Sequence, residues 1–274
     1  MRDRLPVDRV SFDEQGAGIF DARAGFPDGV AERIADAVRS FADLRTGDLI
    51  LEIGAGTGLI GQWLAQPPYR YLGLDNSRPM LDTCRTRLPA GAVLITADAN
   101  RPWPVPDRTA RIIFGSRVFQ LLDPDHLVAE ANRVAHPAGA VLLHGKVERE
   151  PDSPKAVLRR KLHERLTAHG YRPRPAGRLL ARILDRAAAT GGTVLPPAVV
   201  TSWRRVVRPI DPIEEWRQTY SMGGITPSAA VAAAVLAELT NWVTATYGDP
   251  TAPVPTTESY VLQGIALPST REAT

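Results

Sequence analysis

The sequence predicts an α/β protein with a doubly wound, mostly parallel sheet, and two observations lead to this fold class. Apolar runs alternate with segments of helical spacing, and the runs lie at residues 49–53, 71–74, 92–96, 111–115 and 140–144. The first run breaks into a glycine-rich turn at residues 54–58. Alternating strands and helices imply parallel strands joined by right-handed crossovers. Ligands bind such sheets at the carboxyl ends of the strands.

The glycine turn is the strongest single signal in the chain. Gly54, Gly56 and Gly58 lack side chains where the backbone must turn tightly and approach a ligand. A strand, a glycine turn and a following helix together expose backbone N–H groups, which suit an electron-rich ligand. The turn therefore predicts a nucleotide-type site.

The same turn also satisfies a dinucleotide-binding pattern. Gly56, Gly58 and Gly61 match the fingerprint G-x-G-x-x-G. Asp75 lies about 20 residues further on, at the end of the second apolar run, where a ribose-binding acid is expected. An NAD(P)-dependent oxidoreductase is therefore one interpretation of the turn.

Two further acids favour a different ligand. Glu52 lies inside the first apolar run, where a buried carboxylate needs a partner. Asp98 follows the third run. Together with Asp75, these acids stand at the ends of three successive strands and converge on one edge of the sheet.

With these residues the chain resembles the class I S-adenosylmethionine-dependent methyltransferases. Residues 51–58, Leu-Glu-Ile-Gly-Ala-Gly-Thr-Gly, match the first motif of that family, and the resemblance covers about residues 45–147. It implies S-adenosylmethionine as the cofactor, with Glu52 near its amino group and Asp75 accepting hydrogen bonds from its ribose hydroxyls. By the same resemblance, Asp98 and Ala99 contact the adenine ring. The cofactor-binding residues that it implies are Glu52, Gly54, Ala55, Gly56, Gly58, Asp75, Asn76, Met80, Asp98, Ala99 and Ser116.

The pattern changes after residue 147, which divides the chain into four expected segments. These are an N-terminal helical cap (1–48), the cofactor-binding core (49–147), a helical lid insertion (148–198), and the remainder of the core with substrate-side helices and the last strand (199–274). That last strand, at about 258–266, is expected to pair antiparallel with 199–207 as a closing hairpin.

The family resemblance also indicates an acceptor pocket. It places this pocket at the end of strand four and in the late insertion, with Arg117 and Phe119 as substrate-contacting residues and a solvent-facing Arg117 as the alternative. Farther along, Trp216 and Tyr220 are spaced to share a helix face, and with Met222 they either line the acceptor pocket or pack the lid as core. His144, at the end of strand five, is the candidate catalytic base, and a merely hydrogen-bonded histidine is the alternative.

The composition and charge of the chain limit the classes of function that it can have. The 274 residues carry a formal net charge of only +3, and their basic helices are interleaved with acids, so we expect no nucleic-acid partner. No membrane span, signal peptide or zinc-type ligand spacing is predicted, so the expected metal content is none. The single cysteine, Cys84, is consistent with a cytoplasmic protein.

The sequence thus predicts methyl transfer from S-adenosylmethionine to an O, N or C atom of a small molecule, by in-line displacement, in specialised metabolism. The absence of a Tyr-x-x-x-Lys pair weakens the oxidoreductase interpretation. A non-catalytic protein that binds S-adenosylmethionine or S-adenosylhomocysteine is the third hypothesis.

Overall fold

The chain follows the predicted alternation of strands and helices. The computed structural model describes residues 21, 25–172, 177–218, 222 and 225–269. The strands are β1 Leu49–Ile53, β2 Arg70–Asp75, β3 Val93–Thr96, β4 Ala110–Ser116, β5 Ala140–Arg149, β6 Thr193–Val194, β7 Ala198–Val207 and β8 Val254–Leu267. The helices are α1 Val30–Ser40, α2 Gly61–Leu64, α3 Arg78–Arg87, α4 Pro124–Val134, α5 Pro154–Ala168, α6 Arg178–Ala189, α7 Asp211–Arg217 and α8 Ala229–Tyr247, with a 3-10 turn at Phe119–Leu121.

The sheet confirms the predicted fold class. Its strand order is β3-β2-β1-β4-β5-β8-β6, and β7 pairs with β8. The ladders β1–β2, β1–β4, β2–β3 and β4–β5 are parallel, whereas β6 and β8 pair antiparallel. Because β1, β2 and β3 are parallel neighbours, their carboxyl ends lie side by side. This arrangement brings the predicted acids to one edge.

The described residues separate into two compact units. Unit 1 contains the chain up to residue 146, residues 179–201 and the chain from residue 261; unit 2 contains residues 147–178 and 202–260. The sequence treats 148–198 as one helical lid, whereas the structure assigns α5 to unit 2 and nearly all of α6 to unit 1. The reason is that Ile183 and Ala187 of α6 are buried in the unit 1 core.

The core of unit 1 is built on its central strands. All five residues of β1 are buried, and β4 is buried up to its last residue, as expected for strands covered on both faces. Strand β3 lies at the edge of the sheet and is partly exposed. The glycine turn therefore follows directly from a fully buried strand in the interior of the sheet.

The helix that follows β2 begins in a fixed position. The Ser77 hydroxyl caps α3 by accepting a hydrogen bond from the Met80 N–H at 3.4 Å, and Pro79 lies in the first turn. The start of α3 is thereby held next to Asp75, the last residue of β2.

Arg111 closes the opposite end of the sheet. It is buried near the amino end of β4 and donates hydrogen bonds to the carbonyl oxygens of Gly139 and Asp43, the latter at 3.0 Å. Its Nε lies 3.4 Å from Oδ2 of Asp48. One side chain therefore joins the segments that precede β1 and β5.

Unit 2 has a helical core of its own. Its buried apolar residues are Leu158, Leu162, Leu166, Ile210, Ile213, Met222, Val235, Leu239 and Val243. Helix α8 is the one helix among the described residues that is long and apolar enough to cross a membrane by length and composition. Core helices of globular proteins pass the same test, and α8 contributes three residues to this core.

We predict that Arg111→Ala destabilises the protein by about 3 kcal/mol, because it removes a buried side chain that binds two part-buried carbonyl groups and a carboxylate at once. Urea denaturation measures the loss. Arg78→Ala is the matched control, because Arg78 forms an exposed ion pair with Asp82 and its removal should cost below about 1 kcal/mol. Equal losses for the two variants would contradict the role of Arg111.

Candidate functional site

The glycine turn has a backbone that requires glycine. Gly54, Gly56 and Gly58 all have positive φ angles, of 70°, 54° and 80°. A Cβ atom on Gly54 would lie 2.7 Å from Val118, and one on Gly58 would lie 2.8 Å from Sγ of Cys84. A Cβ atom on Gly56 would meet nothing closer than a backbone oxygen at 4.0 Å. Gly54 and Gly58 therefore serve packing, whereas Gly56 borders open space.

The backbone N–H groups of the turn are largely used within the protein. Gly54 and Ala55 donate to the Leu74 carbonyl oxygen, Gly56 donates to Oδ2 of Asp75, and Gly58 donates to the Ala55 carbonyl oxygen, at 2.7, 2.9, 2.8 and 3.0 Å. A pyrophosphate site needs free N–H donors at a helix N-terminus. Since four donors are occupied and α2 is a single turn of four residues, the geometry argues against the dinucleotide interpretation.

Asp75 holds the turn and keeps capacity for a ligand. Its Oδ2 accepts from Gly56 N–H at 2.8 Å, and its Oδ1 accepts from Ser77 N–H at 2.9 Å. Burial raises the pKa of its carboxyl group, and the backbone hydrogen bonds act in the opposite direction. Three backbone N–H groups, from Ser77, Gly56 and Asn76, thus bind this carboxylate. Since a carboxylate can accept about four hydrogen bonds, Asp75 keeps capacity for one ligand hydroxyl.

Glu52 is satisfied inside the protein. It is 2% exposed, and the Tyr71 hydroxyl donates to its Oε2 at 2.6 Å. Gly61 and Gly73 leave room for this contact, because a Cβ atom on either would lie within 2.9 Å of the Tyr71 hydroxyl. Burial raises the pKa of Glu52 to about 8, so the carboxyl group carries its proton at neutral pH.

The turn after β3 contains the predicted adenine-binding pair. Asp98 accepts a hydrogen bond from Asn100 N–H through Oδ1 at 3.0 Å, and the Ala99 carbonyl oxygen accepts from Nε1 of Trp103 at 3.0 Å. Beyond β2, Asn76 is exposed. Asp98 therefore shapes its own turn, and its contact with adenine stays a prediction.

Comparison with known proteins bears on this arrangement. A family model described as "Methyltransferase domain" matches residues 51–143. This range begins in β1 and ends in β5, and it includes the glycine turn and Asp75. Residues 51–143 form a class I methyltransferase domain.

Two curated relatives match this methyltransferase domain and its surroundings. The malonyl-[acyl-carrier protein] O-methyltransferase of Serratia marcescens is 33% identical over 129 residues, which cover 47% of this chain and 48% of that protein. An uncharacterized methyltransferase of Geobacillus kaustophilus is 25% identical over 150 residues, which cover 54% of this chain and 64% of that protein. The match thus spans about half the length of the first relative.

Solved structures with the same fold include proteins of different chemistry. Phosphoethanolamine N-methyltransferase 2 of Haemonchus contortus superposes with a TM-score of 0.51 at 14% identity, covering 96% of this chain and 59% of that one. The [4+2]-cyclase SpnF superposes with a TM-score of 0.52 at 20% identity, covering 97% of this chain and 99% of that one. At these identities the likeness shows the fold alone.

The unit 1 residues that were predicted to face the acceptor lie at the end of β4 and in the middle of β5, because β5 continues to Arg149 instead of ending at His144. Ser116 is opposite Gly145 in the ladder, and Arg117 N–H donates to the Gly145 carbonyl oxygen at 2.8 Å. Arg117 has a φ of 57°, which is uncommon for a residue with a side chain. Its guanidinium lies over the ring of Phe26, 5.2 Å from the centroid. This arrangement holds a cation beside the last residue of β4.

Phe119 and His144 form a stacked pair in the core. Their ring centroids are 5.2 Å apart, and Phe119 is fully buried. His144 is 7% exposed, and its Nδ1 makes no hydrogen bond with any residue that the structure describes. Burial, with a contribution from Lys146, lowers the pKa of His144 to about 4. The imidazole is therefore neutral at pH 7 and is a weak base.

The roles predicted for the remaining residues, including contact of Met80 with the cofactor, stay predictions. Met80 is buried in α3. Met222 is buried in the unit 2 core, and Trp216 packs against that core. Tyr220 lies outside the described residues. Contact of Trp216, Tyr220 and Met222 with the acceptor therefore stays a prediction.

The sequence does not reveal which residues hold the predicted site residues in place. Tyr71 had a usable signal, because Gly73 within a strand indicates that another group approaches closely. Asp21 and Arg87 bind Thr57 in the glycine turn, yet 66 residues separate them and no motif includes both. Only the fold brings them together.

We predict that Glu52→Gln changes how stability depends on pH. The native carboxyl holds its proton up to about pH 8, whereas an unfolded one releases it near 4.5. The native state therefore binds more protons between these values, and wild-type stability falls as the pH rises, by up to about 1.4 kcal/mol per pH unit.

Urea denaturation of both proteins at pH 5, 6.5 and 8 measures this effect. The amide side chain of the variant does not titrate, so the wild type should lose stability relative to the variant with each rise in pH. Parallel stability curves for the two proteins would show that Glu52 does not keep its proton in the folded state.

We predict that two glycine substitutions lower stability by different amounts. Gly58→Ala combines a strained backbone with a contact below 3 Å to Cys84 and should lose about 3 kcal/mol of stability. Gly56→Ala adds a methyl group to open space and should lose about 1–2 kcal/mol, from the backbone alone.

Calorimetric titration with S-adenosylhomocysteine completes the comparison. Gly56→Ala should weaken binding about tenfold or more, because its methyl group enters the space beside the turn. Unchanged affinity in Gly56→Ala would show that the cofactor does not approach this position.

Proposed function

We propose that the protein transfers a methyl group from S-adenosylmethionine to a small-molecule acceptor, in specialised metabolism. The proposal rests mainly on Asp75, whose carboxylate keeps acceptor capacity for a ligand hydroxyl beside the open face of Gly56. Occupied backbone N–H groups in the turn favour a nucleoside over a pyrophosphate ligand. The 33% identity with an O-methyltransferase supports the same activity.

The protein's contribution to such a reaction is alignment. The bound cofactor supplies an electrophilic sulfonium methyl group. Asp75 binds and orients the nucleoside end, and the glycine turn shapes the adjacent wall. Holding two reactants in line contributes roughly 7–11 kcal/mol to catalysis. No strong base is required if the acceptor is already nucleophilic.

The residues at the end of β4 and in the middle of β5 favour an anionic acceptor. Arg117 follows β4, Lys146 lies within the neighbouring strand β5, and both are cations. His144 is neutral, and with a pKa of about 4 it accepts a proton only weakly, so it suits hydrogen bonding to the acceptor more than deprotonating an alcohol. A carboxylate needs no base at neutral pH. The Serratia relative is named for methylation of an oxygen, which agrees with this choice.

We predict that the protein binds S-adenosylhomocysteine and not NADH in calorimetric titrations. Asp75→Ala removes two charged hydrogen-bond acceptors and should weaken S-adenosylhomocysteine binding by about a hundredfold. Asp82→Ala is the matched control, because Asp82 lies exposed on α3, and it should bind like the wild type. Tight binding of NADH alone would overturn the proposal.

The acceptor class is tested with methyl-labelled S-adenosylmethionine and a panel of small carboxylic acids, phenols and amines. We expect label in the acids, and Arg117→Gln should reduce it. Label in amines alone would overturn the anionic acceptor. S-adenosylhomocysteine binding without transfer to any compound would favour a non-catalytic binding protein.

A further inference from the structure

A three-residue network holds the glycine turn from outside. The Thr57 hydroxyl donates to Oδ1 of Asp21 at 2.5 Å. Arg87, the last residue of α3, donates to Oδ2 of Asp21 at 2.6 Å and to the Thr57 carbonyl oxygen at 2.9 Å. Each of the three residues therefore contacts the other two. We refer to Asp21, Thr57 and Arg87 as the Thr57 clamp.

The clamp acts on the backbone that shapes the site. Thr57 is only 1% exposed, so its hydroxyl needs a partner inside the protein, and Asp21 provides it. Thr57 stands between Gly56 and Gly58, and glycine residues sample many conformations, positive φ among them, unless their surroundings fix one. Arg87 fixes the direction of the peptide group between Thr57 and Gly58 through its carbonyl oxygen.

The turn is thus held from two sides by two different acids. Asp75 accepts from the N–H of Gly56, and Asp21 accepts from the side chain of the next residue. Asp75 lies beside the open face of Gly56, whereas Asp21 binds Thr57 and Arg87. Asp21 also lies ahead of the methyltransferase domain match, so the clamp ties an earlier part of the chain to the cofactor turn.

We propose that Asp21 and Arg87 are positioning residues that preorganise the glycine turn for its cofactor, an inference that rests on the proposed function. A turn that is already ordered loses less conformational entropy when a ligand binds. Loss of the clamp should therefore weaken cofactor affinity even where the protein stays folded.

The test measures S-adenosylhomocysteine affinity by calorimetry for Asp21→Asn, Arg87→Ala and the double variant. Each single variant should bind about tenfold more weakly than the wild type, because a charged hydrogen bond is lost. The double variant should bind no more weakly than the weaker single variant, because both residues act through Thr57. Arg87→Lys keeps the charge and should recover part of the affinity.

Matched controls come from the same helix. Arg85 is 59% exposed on its side chain and lies 3.9 Å from Asp82, so Arg85→Ala should bind like the wild type. Thermal unfolding without cofactor is measured for every variant. A merely structural role would lower the unfolding temperature and leave affinity unchanged in the folded protein.

The outcomes separate this inference from the proposed function. If the wild type does not bind S-adenosylhomocysteine, the proposed function fails. If the wild type binds S-adenosylhomocysteine and both single variants bind it as tightly as the wild type does, the clamp has no positioning role. If Arg87→Ala does not fold, Asp21→Asn with Arg87→Lys decides, because both retain the side-chain size and the helix.

Discussion

The hydrogen bond from the Gly56 N–H to Asp75 joins the ends of two parallel strands at the site. It links the turn after β1 to the last residue of β2, so the turn cannot adopt its left-handed conformation independently of the sheet. The parallel ladder between β1 and β2 fixes the separation of the two groups. Every property proposed for the cofactor site depends on this connection.

Burial of acidic groups is the energetic cost of the arrangement. Glu52 and Asp75 both have raised pKa values because the sheet withdraws them from water. They are compensated differently. Glu52 keeps its proton and accepts from Tyr71, whereas Asp75 accepts backbone N–H groups and retains capacity for a ligand. The two acids on adjacent strands are thus stabilised in different ways.

The residues that are proposed to face the acceptor are arranged differently from the buried acids. His144 is buried against Phe119 and is neutral, while Arg117 is held in a strained conformation over Phe26. Such strain persists only where the surrounding structure imposes it, and it occurs often at functional sites. An arrangement with a fixed cation and a weak base suits an acceptor that arrives already ionised. The chemistry would then depend on placement more than on proton transfer.

The sequence by itself determined the fold class, because apolar runs of strand length alternate with helical spacing and leave few other topologies. It also indicated the glycine turn and Asp75, since local motifs carry that information. Tertiary structure alone decided the partners: Tyr71 for Glu52, and Asp21 and Arg87 for Thr57. These contacts join residues far apart in the chain, and hydrogen bonds between distant residues leave no periodic pattern. The division of the two late helices between separate units likewise depends on which core buries Ile183.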